Sequence, residues 1–344
     1  MSRDRKMILR VIASLGVVLL LTGALHQLRK GGGAAADFIC AVTSGIDVNI
    51  EIKDGASGSE IAQQLFEADV VKSSRAFFAI AVSDTRSSRI APGVHRIQQG
   101  LCAQDALDQL LDARRIVGLV KVLEGAWNQE IFQELEKSGF AKNDIQKASS
   151  NFILPNGFHN LEGLLFPAQY SFAPGTNING ALTQMVVRGL GEISKSGIDS
   201  GTGNYSRQQL LVIASVIQAE ADTKDFAKVS RVIRNRLETG MPLQMDSTVH
   251  YIKKVRGEIF LSTQSTLLKS PYNTYSNYGL PPGPIGNPGY DAMYAAVNPA
   301  AGDWIYFITV APGDTRFTAS NQQFNLWKIE YKKNLRDGLF RRAK

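Results

Sequence analysis

An apolar run near the start sets the first constraint on this chain. Residues 11–28 are largely apolar, with Val17, Val18, Leu19, Leu20 and Leu21 at the centre. Together with Met7, Ile8 and Leu9 the run is long enough to cross a bilayer as a helix, with Arg10 able to snorkel toward the inner surface. Arg3, Arg5 and Lys6 precede it, which places the N-terminus in the cytoplasm and the body of the protein outside the membrane. A cleaved signal peptide is the alternative, since Ala34, Ala35 and Ala36 offer small residues for processing. Those alanines lie well past the apolar run, beyond Arg29 and Lys30, and this favours an uncleaved single-pass anchor. The expected order is a cytoplasmic tail over 1–6, a transmembrane anchor over 7–28 and a linker over 29–43 that contains Gly31, Gly32 and Gly33. The expected location is the cell membrane, with the body of the chain after the anchor extracytoplasmic.

The formal charge of +7 over 344 residues is concentrated in that N-terminal stretch. The rest of the chain is close to neutral, which argues against binding a phosphate backbone, so no nucleic-acid partner is expected. Cys40 and Cys102 are too few for a disulfide framework or a zinc site. An extracytoplasmic body permits one bridge between them, and two unpaired thiols are an equal alternative. His26, His95, His159 and His250 are scattered without metal-ligand spacing, so neither a metal nor a cofactor is expected.

After the linker the patterning changes. Residues 46–52 alternate strictly, as a half-buried strand does. Ser57 with Glu60 reads as a capping box, and Ile61 and Leu65 share one helical face. A second helix holds Phe77, Phe78 and Ala81. A short strand spans 94–97 after Pro92 and Gly93, and Ala103, Ala106, Leu107, Leu110 and Leu111 trace a third helical stripe. Residues 44–116 therefore form a small β-α-α-β-α unit with no obvious catalytic cluster.

The larger section, 117–344, opens with a strand over 117–122, a turn at Glu124 and Gly125, and a helix over 129–136. Residues 143–160 read as polar and less regular. Pro281, Pro282, Gly283 and Pro284 exclude helix and central strand. Residues 304–310 read as a buried strand and 324–336 as a polar amphipathic closing helix.

One helix in this section combines an acid with an apolar face. Ser206 and Gln209 form a capping box, and Ile213, Val216, Ile217 and Glu220 follow at i, i+3, i+4 and i+7 on one stripe. A carboxyl group held against apolar side chains loses hydration of its charged form, so its pKa rises toward the range a general acid needs. The competing reading is a structural glutamate paired with an arginine such as Arg231 or Arg234. Amides, hydroxyls and tyrosines recur in the surrounding blocks, and such groups read sugars. Glu162, Asn235, Gln244, Asp246, Thr248, Tyr272, Asn273, Thr274 and Tyr275 are the candidate substrate-binding residues, with Asp246 and Glu162 best placed to act as an auxiliary carboxylate. Turn residues that only satisfy their own backbone are the alternative for each of them.

These blocks carry a resemblance. Ala214-Ser215-Val216-Ile217-Gln218-Ala219-Glu220, the stretch 235–249 (NRLETGMPLQMDSTV), and Ser270-Pro271-Tyr272-Asn273-Thr274-Tyr275 with the run 279–289 (GLPPGPIGNPG) are similar to the YceG-like family of MltG-type endolytic murein transglycosylases, over about residues 44–325. The resemblance implies an α+β architecture: an N-terminal membrane helix, a small LysM-like β-α-α-β-α subdomain over 44–116 and a larger mixed α/β catalytic domain over 117–344. It implies Glu220 as the catalytic acid. The family pattern has Glu-x-Glu here, whereas this chain has Gln218, Ala219 and Glu220. Residues two apart on a helix point about 200° apart, so Gln218 is not expected on the surface of Glu220. Many relatives also carry His-Asn after a Phe-Thr segment, and here Phe317 and Thr318 lead instead to Phe324 and Asn325.

The implied activity is a lyase reaction on peptidoglycan, cleaving between N-acetylmuramic acid and N-acetylglucosamine in nascent strands with 1,6-anhydro ends and so terminating elongation. The implied partners are peptidoglycan glycan strands and the wall-synthesis machinery, including penicillin-binding proteins. Two other readings stand beside it: a non-catalytic, membrane-anchored glycan-binding scaffold, and a hydrolase using Glu220 with Asp246.

Overall fold

The computed structural model describes residues 35–40, 45–202, 204–256 and 262–341. The anchor expected over 7–28 lies outside these residues. Among the described residues no helix is long and apolar enough to cross a membrane. They divide into two compact units, one ending at Val117 and the other beginning at Gly118.

The first unit holds strands β1 (Asp47–Ile52) and β2 (Gly93–Gln98) and helices α1 (Gly58–Glu67), α2 (Ser74–Ser83) and α3 (Ala103–Leu111), in the order β-α-α-β-α. β1 and β2 pair antiparallel, with Ile50 opposite His95 and Ile52 opposite Gly93. The alternation in β1 buries Ile50 and Ile52 against Ile61, Leu65, Phe77 and Leu107. Helix α1 starts where the sequence requires. The Ser57 N–H donates to Glu60 Oε2 at 2.7 Å and the Glu60 N–H donates to Ser57 Oγ at 3.3 Å. Such a cap is worth about 1 kcal/mol.

Of the two alternatives for the cysteines, the structure has the bridge. Cys40 and Cys102 are joined by a disulfide across 62 positions of sequence, at the residue that precedes α3. A loop of that size confers about 4 kcal/mol by restricting the unfolded chain. Cys40→Ser is therefore expected to lower the stability of the oxidised protein by about 2–4 kcal/mol. Chemical denaturation of oxidised wild type and variant checks this; equal midpoints would mean that the bridge does not constrain the unfolded state.

The second unit is mostly helical. Helices α4 (Asn128–Lys137), α5 (Lys142–Ser150), α6 (Ile178–Ser196), α7 (Arg207–Glu220), α8 (Phe226–Glu238), α9 (Asp246–Lys253), α10 (Tyr290–Val297) and α11 (Asn321–Arg336) are joined by two antiparallel ribbons. These ribbons are β3 (Leu119–Lys121) with β4 (Gln169–Ser171), and β5 (Tyr306–Ala311) with β6 (Asp314–Thr318). The architecture is α+β with small sheets rather than a mixed α/β core.

Helix α7 is the axis of this unit and packs against α8, α9 and α10. Residues 210–217 are buried without a break, so the helix is enclosed on every side over two turns. A single apolar stripe understates this. Its start is the expected capping box, with the Ser206 N–H donating to Gln209 Oε1 at 2.9 Å. Its end is Glu220, where α7 emerges from the core.

Three expectations need correction. Residues 142–150 form helix α5, because Ile145 and Ala148 supply an apolar contact that a largely polar sequence conceals. The strand expected over 304–310 is only half-buried apart from Val310, since it belongs to a two-stranded ribbon covered by α11. The strand expected over 117–122 contracts to Leu119–Lys121, the length of its partner β4.

Candidate active site

Glu220 ends α7 and faces the first turn of α9. Ser247, the second residue of α9, donates to Glu220 Oε1 from its backbone N–H at 3.1 Å and from its hydroxyl at 2.5 Å. Both bonds fall on one oxygen, so Oε2 is the oxygen free to carry a proton. The side chain is half-buried: part of it meets solvent, while dense packing removes most hydration from the charged form.

Opposing influences act on this carboxyl. Burial raises its pKa above the usual value of 4.5, and the Asp246 charge raises it further. The Ser247 hydrogen bonds and the Arg236 guanidinium act the other way. Burial is the largest cause, and the net direction is upward. The helix termini also oppose each other. Glu220 sits at the C-terminal end of α7, which disfavours an anion, and against the N-terminal turn of α9, which favours one. The result is an acid that is oriented and kept protonated above the ordinary carboxylate range.

Arg231 and Arg234 are not its partners. Arg231 Nε donates to the carbonyl of Ala300 at 2.6 Å, and Arg234 Nη2 to that of Ala296 at 2.6 Å. Arg236 is buried in α8 and donates to the carbonyls of Ile305 and Leu243. Its charge therefore acts on Glu220 without an ion pair.

The other candidates fall into three groups. Asp246 and Tyr275 stay with Glu220: the Tyr275 hydroxyl donates to Asp246 Oδ1, and both groups act electrostatically on the acid or on each other. Gln244 is exposed on the loop before α9, with a left-handed backbone at φ 49° and its N–H on the Thr274 carbonyl at 3.0 Å.

Thr248, Thr274 and Asn273 form the second group and are corrected to framework, and half-buried Asn235 also has its amide on the backbone. Thr248, Thr274 and Asn273 are buried, and their side-chain polar atoms are engaged by the protein itself. Thr274 Oγ1 accepts the Met245 N–H at 2.9 Å and lies 3.0 Å from Thr248 Oγ1, which fixes the start of α9 beneath Glu220. Asn273 Nδ2 donates to the carbonyls of Thr266 and Leu268 at 2.9 and 2.8 Å. Asn235 Nδ2 donates to the Trp304 carbonyl at 2.9 Å.

Glu162, Tyr251 and Tyr272 make the third group, at the other end of α9. Glu162 Oε1 accepts the Asn128 N–H at 2.9 Å, and Oε2 accepts the Tyr251 hydroxyl at 3.0 Å. The Tyr272 ring lies 5.2 Å from that of Tyr251. Burial pushes Glu162 up to about 7. With both carboxylate oxygens accepting hydrogen bonds from the frame, Glu162 braces α9 at Tyr251. Because its native pKa lies above the unfolded value of 4.5, its contribution to stability is complete below about 4.5 and is lost as the pH rises to about 7. Glu162→Gln is expected to remove that slope and to gain roughly 1–3 kcal/mol at pH 8. Denaturant titrations across this window check it; an unchanged slope in the variant would assign the pH dependence elsewhere.

Asn287 ties these groups together. It is fully buried, and its Oδ1 accepts the N–H groups of Gly163 and Leu165 at 3.0 and 2.8 Å. Its Nδ2 donates to the Ala126 carbonyl and to Asn128 Oδ1, both at 2.9 Å. Gly163 has φ +93°, and a Cβ there would sit 2.8 Å from Pro284 Cγ, so the close approach of these two segments needs glycine.

A cleft of about 230 Å³ opens beside the acid's partner, lined by Glu124, Trp127, Gln218, Ser247, His250 and Arg256 among others. Sequence reasoning singled out none of these six as site residues. Glu124 was legible only as part of a turn, Ser247 only as a member of the DST block, and His250 and Arg256 come in by following α9 out of that block. Gln218 lines the cleft together with Ser247, and Glu220 is not among the lining residues. Gln218 Oε1 accepts the Gly289 N–H at 2.9 Å at the head of α10, which turns the side chain toward the cleft side of α7.

A half-buried acid with a raised pKa, held by the first turn of α9 and with a polar cleft opening at its partner Ser247, has the features a general acid needs. The chain belongs to the YceG-like family, which it matches over residues 50–328. It is 31% identical over 307 residues to the endolytic murein transglycosylase of Bacillus subtilis (strain 168), covering 83% of this chain and 84% of that one. It is 25% identical over 341 residues to the endolytic murein transglycosylase of Streptococcus pneumoniae serotype 2, covering 87% of this chain and 62% of that protein, which is less than two thirds of its length. The crystal structure of a yceG-like protein from Listeria monocytogenes superposes with a TM-score of 0.56 at 25% identity, covering 81% of this chain and 98% of that chain.

Proposed function

We propose that this protein is a lytic transglycosylase of murein in which Glu220 is the single acid–base catalyst. The observation that carries the reading is the state of Glu220: raised in pKa by burial and fixed through one oxygen by Ser247, which itself lines a polar cleft. The names of the relatives supply the substrate class.

Glu220 Oε2 donates its proton to the oxygen that joins N-acetylmuramic acid to N-acetylglucosamine, and the bond from that oxygen to the anomeric carbon breaks. The muramyl C6 hydroxyl attacks the anomeric carbon and closes a 1,6-anhydro ring. Its proton passes to the carboxylate, which returns Glu220 to the acid form. No water enters. Proton transfer of this kind contributes roughly 100- to 10,000-fold. Asp246 keeps the acid protonated between turnovers, and Arg236 limits that effect so the carboxylate formed in the first step is tolerated.

In this reading the first unit is a LysM-like module that positions glycan, and the apolar residues 7–28 anchor the protein in the cell membrane with both units outside. The Cys40–Cys102 disulfide supports that placement, since such bonds persist in oxidising compartments. Cleavage within nascent strands would end their elongation, in company with the penicillin-binding proteins that extend them. The test is mass spectrometry of products from purified protein and uncrosslinked glycan strands. Anhydro-muramyl ends at internal positions are expected. Reducing muramyl ends would make the protein a hydrolase, and unchanged strands would leave a glycan-binding scaffold.

A further inference from the structure

The cleft beside Ser247 holds more recognition capacity than acid catalysis uses. His250 lines it, and its Nε2 is buried without a hydrogen-bond partner among the described residues. An unpaired buried nitrogen is costly and draws any ligand group that satisfies it. Of the other polar groups of the cleft Glu124 is exposed, and the rest are largely committed. Arg256 donates to both carboxylate oxygens of Glu130 at 2.6 Å and stacks over Trp127, 4.0 Å from the ring centroid. The Ser247 N–H and O–H serve Glu220. Gln218 Oε1 is taken by the Gly289 N–H, which leaves its amide donors to meet a ligand.

We infer that Gln218 and His250 form a subsite for the acetamido group of one sugar next to the scissile bond. This rests on the transglycosylase reading above. An acetamide presents one acceptor and one donor. The Gln218 amide donates to its carbonyl oxygen, and His250 Nε2, in the tautomer whose proton is on Nδ1, accepts its N–H. The cleft of about 230 Å³ suits such a substituent with part of its ring rather than several sugars, since sites for drug-sized ligands start at roughly 300 Å³. Gly125 forms part of the wall: a Cβ there would lie 3.3 Å from Gln218 Cγ, so glycine leaves the amide room. A de-N-acetylated sugar would bring an amine, which can still donate to His250 Nε2 but offers no carbonyl oxygen to the Gln218 amide, so it would bind less well. Gln218 is thus the specificity residue for N-acetylated over de-N-acetylated glycan, and His250 a binding residue of the same subsite.

The test uses full-length protein and two probes: uncrosslinked murein glycan, and the same glycan after de-N-acetylation. Affinity is measured on Glu220→Gln protein, so that turnover does not interfere, and cleavage separately on wild type. The acetylated glycan is expected to bind about tenfold tighter or more, as a site built to pair a polar group discriminates against its absence. Gln218→Glu, which keeps the acceptor for Gly289, is expected to reduce that preference to about threefold or less, and His250→Phe to weaken binding of both glycans, with KM rather than kcat changed in the Glu220-containing enzyme. Wild-type preference below about threefold, preference undiminished in folded Gln218→Glu, or unchanged binding in folded His250→Phe would overturn the subsite. If His250→Phe does not fold, Gln218→Glu reads the same cleft from α7. Cleavage by wild type without N-acetyl preference removes this inference alone, whereas absence of cleavage removes the transglycosylase reading.

Discussion

Glu220→Gln is expected to abolish strand cleavage to within about 100- to 10,000-fold of wild type while leaving the fold intact. The fold survives because a glutamine carbonyl can still accept the two Ser247 bonds at 3.1 and 2.5 Å. The chemistry fails because an amide has no proton to give the leaving oxygen. The pH profile sharpens the prediction. Burial and Asp246 both raise the Glu220 pKa, so wild-type activity should fall on the alkaline side only as the pH passes that raised value. Asp246→Asn removes the neighbouring charge, and the alkaline limb should then move to lower pH with a modest change in the maximum rate. A large loss at every pH in Asp246→Asn, with glycan binding preserved, would instead make Asp246 a second catalytic carboxylate. Initial rates on defined glycan across pH distinguish the two.

Asn287→Ala is expected to be the most damaging framework substitution, at about 3–4 kcal/mol. The alanine leaves the Gly163 and Leu165 N–H groups without their acceptor, and removes the donor to Ala126 and Asn128. All of this occurs at a side chain with no solvent exposure, so water cannot substitute. The loss also loosens the attachment of Glu162, to which Asn287 Nδ2 contributes at 3.3 Å. Denaturant unfolding should show a lower midpoint at an unchanged slope. A loss below about 1 kcal/mol would mean that the hub relaxes and its partners find replacements.

The legible part of this protein was what local pattern encodes. Ser57 with Glu60 and Ser206 with Gln209 announce helix starts through side chains three residues apart, and both boxes are present. The alternation over 46–52 and the stripe ending at Leu111 likewise depend only on near neighbours. Glu220 was legible as an acid leaving an apolar helix. Its surroundings were not, because they come from 27 positions away in Ser247 and from Arg236 acting through space. Thr248, Asn273 and Thr274 show the reverse error. Their residue types suit sugar recognition, but the types that bind sugars are also those that brace turns, and only burial separates the two uses. Helix α5 escaped because a sequence with just Ile145 and Ala148 on its inner face has little periodic signal. His250 and Gln218 could be placed in one cleft only once α7 and α9 were packed together.

The central claim is that Glu220 breaks the glycan backbone without water. Cleavage of uncrosslinked strands in heavy-oxygen water tests it most directly, read by mass spectrometry of the new muramyl ends. Ring closure through the C6 hydroxyl is expected to leave every new end free of the label. Heavy oxygen at the anomeric carbon of those ends, formed in step with cleavage, would contradict the account.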